Sequence, residues 1–312
     1  MKDFPPFVSL SHEVKNAILK GLPMVALESA VITHGLPYPE NLNIALDMEQ
    51  EIRNSSVIPA TIAVIEGKVC VGLDVQQIEI LASKNNNHEK VSSRDIGVAV
   101  TKKLTGGTTV AGTLAVVKLV GLRVFSTGGI GGVHRNTPYD ISADCYQLAR
   151  TPVIVVCAGA KSIMDMAATL EVLETLGVPV IGWGTREWPG FYSIHSGLQV
   201  DVQVDTPADV VWLARNHWET KQESAVLVAV PPPRNVALPR EEVVEAEDQA
   251  IRESKQKKLR GKQVTPYLLK RLEELSGGKT VRANLGLLRQ NAQIAARIAF
   301  EMASQERTRL AL

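Results

Sequence analysis

The sequence contains few aromatic residues and few cysteines, and both shortages restrict what the protein can be. Only 4% of its 312 residues are Phe, Trp or Tyr, although 45% are hydrophobic, so the core must be largely aliphatic. The three cysteines, Cys70, Cys145 and Cys157, have neither CxxC nor Cys/His spacing. This odd number without such spacing argues against a disulfide framework or a zinc site and is typical of a reducing compartment.

An excess of charge of one sign is also missing, as are long apolar runs. The net charge is +1, so the sequence lacks the excess of basic residues that is typical of proteins binding nucleic acid or an anionic membrane. No apolar run approaches the ~20 residues of a membrane span, and the start, MKDFPPFVSL, lacks a signal-peptide pattern. We therefore expect a soluble cytoplasmic globular protein that binds neither nucleic acid nor a membrane.

Short β-rich runs alternate with amphipathic helical patterns along the chain. Predicted strands include residues 24–27, 123–126, 153–157 and 178–182, and each is followed by a loop and a helical pattern. Such alternation is typical of α/β proteins. We predict a three-layer α/β/α fold with a central, mostly parallel or mixed sheet, forming a single domain over residues 1–312. The basic segment 255–262, KQKKLRGK, is interpreted as a solvated helix end and linker.

The stretch VIVVCAGAKS, residues 153–162, is the most informative part of the sequence. Five consecutive apolar residues predict a strand buried on both faces, and residues 162–177 then predict a helix closing at Gly177. This pattern puts Lys161 at the carboxyl edge of the sheet, where open α/β proteins bind ligands. A desolvated lysine there has a lowered pKa and a free amine that attacks carbonyls; the alternative is a surface lysine near a helix start.

Glu28 occupies a similar place, directly after the predicted strand 24–27. Carboxylates at such positions are often merely solvated. If Glu28 faces Lys161 across a pocket, it can carry protons to and from a reacting atom.

The glycine-rich segment STGGIGGVHR follows the strand 123–126 but fits no nucleotide-binding fingerprint. The third glycine of G-x-G-x-x-G is replaced by His134, and GxxxxGK[ST] occurs nowhere in the chain. Two interpretations remain: a phosphate cradle of backbone amides with Thr127 and His134, or a tight structural turn.

Three further polar sets each permit a functional and a structural interpretation. Asp140 and Asp144, four apart at a predicted helix start, suit either Mg²⁺ or Mn²⁺ ligation or helix capping. Asn284 and Asn291, seven apart on one helix face, either line a cavity or bond to neighbouring groups. Lys90 lies in a polar loop and matters only if that loop folds back over a phosphate.

Together, several long motifs occur in the order of one family. They are ALESAVITHGLPYPEN, KVSSRD, GGTTVAGT, STGGIGGVHR, DISADC, CAGAKS and GKQVTPYLL. The chain resembles, from about residue 12 to 300, the pseudouridine-5′-phosphate glycosidases, or indigoidine-synthase-A-like family. The resemblance implies an α/β/α homotrimer that reversibly cleaves the carbon–carbon glycosidic bond of pseudouridine 5′-phosphate. The products would be ribose 5-phosphate and uracil, and the cofactor a divalent metal, usually Mn²⁺.

The resemblance also implies roles for individual residues. Lys161 would be the nucleophile, forming a Schiff base at sugar C1′, and Glu28 the proton donor and acceptor. Asp140 falls on the metal position. The substrate-binding positions would be Lys90, Val110, Thr127, His134, Ser142, Ala143, Asp144 and Asn284.

Three stretches depart from the family pattern: residues 185–191 (TREWPGF), 193–198 (SIHSGL) and 230–233 (VPPP). The first two lie in a loop expected to close over the site, so they bear on base specificity and turnover. Two rival functions follow. One is a Schiff-base lyase for another C-nucleotide or sugar phosphate, and the other is a non-catalytic sugar-phosphate-binding regulator.

Overall fold

Buried aliphatic strands from both halves of the chain form one mixed sheet of eleven strands. The computed structural model describes residues 4–83, 87–135, 139–257, 259 and 264–311. Part of the basic segment 255–262 lies outside the described residues, as do the first three residues of the GKQVTPYLL motif.

Most strands are short, and several contain only two or three residues. In chain order they are β1 (Val8–Leu10), β2 (Met24–Leu27), β3 (Ile58–Ile65), β4 (Lys68–Val71), β5 (Glu89–Val91), β6 (Gly106–Thr108), β7 (Val124–Ser126), β8 (Val133–His134), β9 (Ile154–Cys157), β10 (Met164–Asp165), β11 (Val180–Trp183), β12 (Val202–Val204) and β13 (Val226–Ala229).

The helices are longer and carry most of the remaining core residues. They are α1 (His12–Lys20), α2 (Glu40–Asn54), α3 (Val75–Ala82), α4 (Ile96–Thr101), α5 (Val110–Val120), α6 (Ala143–Leu148), α7 (Met166–Thr175), α8 (Pro207–Glu219), α9 (Arg240–Gln256), α10 (Val264–Leu275) and α11 (Lys279–Ala311). A π-helical turn spans Val31–Gly35, and a 3₁₀ turn spans Ser93–Asp95.

The sheet order places the predicted site at its centre. The main path runs β1-β4-β3-β2-β7-β9-β13-β11-β12, and β6 joins β3 to β5. From β3 through β2, β7, β9, β13 and β11 to β12, neighbouring strands pair in parallel. The carboxyl ends of β2, β7 and β9 therefore meet at one edge, and these are the strands that precede Glu28, Thr127 and Lys161.

Helices cover the sheet on both faces. The long α11 packs against β2, β7 and β9 and contacts α2 and α8, while α5 packs on β2 and β3 beside α6. The three-layer α/β/α prediction with a mostly parallel or mixed sheet is confirmed. Within the described residues, no helix is long and apolar enough to cross a membrane.

A hairpin turn at Glu66 and Gly67 joins β3 to β4, and its geometry explains the glycine there. β3 and β4 pair antiparallel, and the two turn residues have φ of 48° and 78°. Two positive φ angles match the twist of a two-residue hairpin, and the second is easiest for glycine.

Three local predictions were wrong. The helix after Lys161 begins at Met166 with Asp165 as its N-cap, because β10 intervenes and pairs antiparallel with β8. Lys90 lies in strand β5, not in a loop, because β5 gains a parallel partner in β6. Asp140 and Asp144 do not share a helix face, because α6 begins only after its N-cap Ser142.

Candidate active site

Two chain segments continue beyond β7 and β9 and remain bonded to each other. This pairing carries the glycine-rich turn alongside the segment that ends at Lys161. Four backbone bonds hold it: Thr127 N–H to Val156 O (3.0 Å), Ala158 N–H to Gly128 O (2.9 Å), Ile130 N–H to Gly159 O (3.0 Å) and Lys161 N–H to Ile130 O (2.9 Å). Strand pairing therefore fixes the backbone at Lys161.

Lys161 lies half-buried at the edge where the sequence placed it. Its carbonyl accepts a hydrogen bond from Met164 N–H at 2.9 Å, which closes a tight turn before β10. Its charge acts on Glu28, whose pKa it lowers. The two groups are therefore close enough for their charges to interact, and Lys161 is partly shielded from water.

Glu28 follows β2 and is only 6% exposed. Burial raises the pKa of its carboxyl above the usual 4.5 by more than the nearby lysines, Lys161 and Lys90, lower it. Thr127 Oγ1–H donates a hydrogen bond to Glu28 Oε1 and also lowers this pKa, whereas the charge of Asp144 raises it. A carboxyl with a raised pKa is suited to donate a proton near neutral pH.

The position of Lys90 depends on glycines in the neighbouring strand. Lys90 pairs with Gly107 in the β5–β6 ladder, and a Cβ at Gly107 would lie 2.4 Å from Thr33 Oγ1. The missing side chain thus lets β6 approach the π-helical turn Val31–Gly35. As a result, Lys90 comes close enough to Glu28 to lower its pKa.

Two aromatic side chains from the loop 185–198 cover the strand ends; we call this loop the roof loop. The Trp188 ring lies against Gly159, which has φ of +86°, and a Cβ on Gly159 would meet the ring at 3.0 Å. The Phe191 ring would lie 2.6 Å from a Cβ on Gly129. Since both glycines lie in the paired extensions, the roof loop closes directly over the segments that carry Thr127 and Lys161.

Asp144 acts as a tether between three elements. Its Oδ1 accepts from Ala111 N–H of α5 at 2.8 Å, and its Oδ2 accepts from Gly131 N–H at 2.7 Å. Asp144 is 6% exposed. Its carboxylate therefore satisfies backbone amides and influences Glu28 through charge, a role that explains an aspartate here without a metal.

Asp140 is the carboxylate that the sequence resemblance places at the metal position. It is exposed, and its carbonyl accepts from His134 N–H at 2.9 Å. Among the described residues, no three His, Cys, Asp or Glu side chains cluster in a way that could hold a metal ion. This donor set fits Mn²⁺ or Mg²⁺ only in a water-rich site with one protein carboxylate.

The glycine-rich turn offers less of an anion cradle than its sequence suggests. The amides of Thr127, Ile130 and Gly131 all donate to acceptors within the protein. The Thr127 hydroxyl donates to Glu28. His134 lies half-buried in β8, opposite Met164. These amides are therefore explained by a tight structural turn, the second of the two interpretations given above, because their hydrogen bonds are made within the protein.

Helix α11 presents both asparagines to this turn. Asn291 Nδ2–H donates to Thr127 O at 2.9 Å, and Asn291 is fully buried. Asn284 is half-buried, with Oδ1 3.5 Å from where a Cβ on Gly128 would lie. Asn291 therefore bonds to a neighbouring group, while Asn284 lies at the turn itself.

The remaining predicted substrate-binding positions lie at two helix starts. Val110 is the first residue of α5 and is only 1% exposed, so it is part of the core in this structure. Ser142 caps α6 by accepting from Asp144 N–H at 3.2 Å, and Ala143 is exposed.

Cysteine chemistry is excluded at this site by burial. All three cysteines are buried free thiols. Burial raises the pKa of Cys145 and of Cys157 to about 12, so neither thiol supplies a thiolate near neutral pH.

Sequence reasoning missed two residues next to the site, Arg135 and Glu247. Arg135 follows His134, and its guanidinium bonds to Glu247 on α9 at 2.9 Å. Glu247 lies on the buried stripe of α9 with Val243 and Ala250. A carboxylate at helical spacing among apolar residues indicates a buried ionic partner, and this signal was present in the sequence.

Comparisons with known proteins place this geometry in a family. The model of the family described as "Indigoidine synthase A like protein" matches residues 13–301. A relative from Clostridium botulinum, named pseudouridine-5′-phosphate glycosidase, is 44% identical over 95% of this chain and 97% of its own. A relative of the same name from Myxococcus xanthus is 46% identical over 93% and 96%.

Two solved structures share the fold. The prealnumycin C-glycosynthase AlnA, in complex with ribulose 5-phosphate, has a TM-score of 0.89 and 35% identity over 97% of this chain and 99% of its own. An indigoidine synthase A-like protein from Thermotoga maritima has a TM-score of 0.89 and 30% identity over the same shares. The chain belongs to the indigoidine synthase A like family.

Proposed function

We propose that this protein reversibly cleaves the carbon–carbon glycosidic bond of pseudouridine 5′-phosphate, giving ribose 5-phosphate and uracil. One observation carries the proposal: at the carboxyl ends of parallel strands, a half-buried lysine lies near a buried glutamate whose pKa is raised by burial. The relatives named pseudouridine-5′-phosphate glycosidase support an enzyme of this type. The ribulose 5-phosphate bound by AlnA supports a sugar-phosphate substrate.

The leaving atom explains why a lysine is used. In an N-glycosidase the leaving group is nitrogen, and two carboxylates suffice. Uracil C5 is a carbon, and it leaves poorly unless it is protonated. In the proposed reaction, the amine of Lys161 attacks C1′, and the ring oxygen leaves C1′ as a hydroxyl. The C1′–C5 bond then breaks as Glu28 protonates C5, the nitrogen lone pair forms an imine at C1′, and water releases ribose 5-phosphate.

Glu28 is suited to this protonation because burial favours its neutral form and Thr127 orients it. Lys90, also near Glu28, supplies positive charge for the phosphate. The backbone at Val110 and the side chains of His134 and Asn284 would line the same pocket. Ser142, Ala143 and Asp144 at the start of α6 would complete it.

A divalent cation, Mn²⁺ in our proposal, would be held by Asp140 and by water. When bound, it would supply positive charge for an anionic substrate. Asp140→Ala should chiefly make activity less responsive to added Mn²⁺. The measurement is turnover across a Mn²⁺ titration of both proteins, and an identical response would remove Asp140 from the metal site.

Trapping the imine tests the central step. The protein is incubated with ribose 5-phosphate, reduced with borohydride and digested, and the mass added at each lysine is measured. We expect the adduct at Lys161, and its absence from the Lys161→Ala protein. Lys161→Ala should abolish turnover, while Lys15→Ala, at an exposed lysine on α1, should leave it unchanged. Near-normal turnover in Lys161→Ala would refute the assignment.

The departures in the roof loop favour a second candidate, which is a Schiff-base lyase for another C-nucleotide or sugar phosphate. Trp188 and Phe191 from this loop lie against the segments that carry Lys161 and Thr127, so changes in the loop would alter the surface above them. An adduct at Lys161 without uracil release from pseudouridine 5′-phosphate would support this candidate. Binding of ribose 5-phosphate without any adduct would instead support a regulator.

A further inference from the structure

The turn that follows Lys161 is held by a side chain from another segment. Arg135 Nε–H donates to Met164 O at 3.1 Å, and its Nη2 donates to Ser162 O at 3.0 Å. No helix holds this turn, because α7 begins only at Met166. One guanidinium therefore holds the carbonyls of Ser162 and Met164. The first of these residues directly follows Lys161.

Glu247 in turn holds Arg135. Its Oε2 accepts from Arg135 Nη2 at 2.9 Å, and the Glu247 side chain has no exposed surface. The second acid near Arg135 is Asp248, at 3.7 Å from Nη1 and 54% exposed. A buried cation that loses its partner is strongly destabilised. Without the charge of Glu247, the guanidinium is thus drawn from the carbonyls toward Asp248 and water.

Glu247 also lies beside the turn and beside the roof loop. Burial raises the pKa of the Glu247 carboxyl overall, while the charge of Arg135 and the nearby Ser162 hydroxyl lower it. Glu247 Oε1 and Ser162 Oγ are both buried. Burial and the charge of Glu247 raise the pKa of Tyr192 in the roof loop. The carboxylate therefore lies between the turn that carries Lys161 and the loop that covers it.

We propose that Glu247 is a positioning residue for Lys161: through Arg135 it fixes the turn Lys161–Asp165 in the geometry that brings the amine to the sugar carbon. This inference rests on the proposed function, since it requires Lys161 to be the nucleophile. A displacement of about 1 Å at a reacting group can lower a rate on the order of 10²-fold. Loss of this anchor therefore acts on the covalent step more than on binding.

The test compares Glu247→Gln with the matched control Glu245→Gln, at an exposed position on the same helix. The first readout is the rate at which the borohydride-trapped adduct with ribose 5-phosphate accumulates at Lys161. The second is the calorimetric affinity for ribose 5-phosphate, measured in a Lys161→Ala background with and without Glu247→Gln. We expect trapping to fall about tenfold or more, affinity to change less than about twofold, and the control to match the wild type.

Arg135→Lys provides a second variant, should Glu247→Gln not fold. A lysine retains the charge that pairs with Glu247 but lacks the fork that spans both carbonyls. We expect the same slower trapping with unchanged affinity. A merely structural ion pair would lower the melting temperature of these variants and leave the trapping rate of the folded protein unchanged.

The outcomes separate the two proposals. If the wild type forms no adduct at Lys161, the proposed function fails and this inference fails with it. If the wild type forms the adduct and the variants form it at the same rate, only the inference is overturned. Equal losses in trapping and in affinity would also overturn it, since they would assign the pair to substrate binding.

Discussion

Opposing effects act on Glu28, and its environment determines which prevails. Burial disfavours its charge, while two lysines and the Thr127 hydroxyl favour it, and the net effect is a raised pKa. Burial is the strongest of these effects because it removes water from both carboxyl oxygens. A buried carboxyl with a raised pKa can act as an acid, but ionising it near neutral pH lowers the stability of the folded protein.

Glu28→Gln should therefore stabilise the protein while strongly lowering its activity. The folded pKa lies above the unfolded value, so the folded state binds the proton more tightly. Stability then falls as pH rises from the unfolded pKa through the folded pKa, and glutamine removes this loss. We expect a higher melting temperature than wild type at pH 8, a smaller difference at pH 4, and turnover lowered roughly 10²–10⁴-fold.

Calorimetry at both pH values checks this prediction. Glu241→Gln, at an exposed position on α9, serves as the control and should show no pH-dependent gain. A melting temperature below that of the wild type at pH 8 would contradict the burial argument.

Thr127 offers a finer probe of the same carboxyl. Its hydroxyl lowers the pKa of Glu28, so Thr127→Val should raise that pKa further. Activity should fall at high pH as Glu28 loses its proton. In Thr127→Val this fall in kcat should occur at higher pH, and the maximal kcat should be lower. Thr127→Ser retains the donor and should leave the profile near that of the wild type. A shift to lower pH in Thr127→Val would disprove the assignment.

At the scale of elements, one carboxylate joins a helix start, a glycine turn and a second helix. Asp144 on α6 accepts amides from α5 and from the turn after β7. These elements are far apart in sequence, so the link forms only when the chain has folded. The same tether fixes the turn that pairs with the Lys161 segment.

Asp144→Asn should destabilise the protein by about 1–3 kcal/mol, because one buried amide then faces an NH₂ group instead of an acceptor. For a chain of this size, 1 kcal/mol lowers the melting temperature by roughly 1–2 °C. Asp140→Asn is the control, since its exposed side chain should change stability by less than about 0.5 kcal/mol. Equal melting temperatures for the two variants would refute the tether.

The whole molecule leaves large apolar side chains at its surface. Trp212 is 69% exposed, and Tyr139, Tyr146 and Phe300 are exposed as well. We propose a homotrimer, as the family resemblance implies, and such residues suit the contacts between subunits. Light scattering after gel filtration should give about three times 33.8 kDa. A monomer mass at micromolar concentration would contradict the proposal.

The sequence by itself determined the strands and helices that carry the site. β2, β7, β9 and α11 lie where apolar runs and helical periodicity predicted them, because local pattern and burial agree there. The same apolar runs also placed Glu28 and Lys161 at strand ends. These are properties of contiguous segments, which a linear sequence expresses directly.

Only the tertiary structure determined where the short strands form and which polar side chains bond to each other. β5, β8 and β10 are too short to show periodicity, and they form because pairing partners come from distant segments. The links from Thr127 to Glu28, from Asp144 to two amides and from Glu247 to Arg135 join residues 13 to 112 positions apart. Such contacts exist only after folding, since each depends on how separate elements pack together.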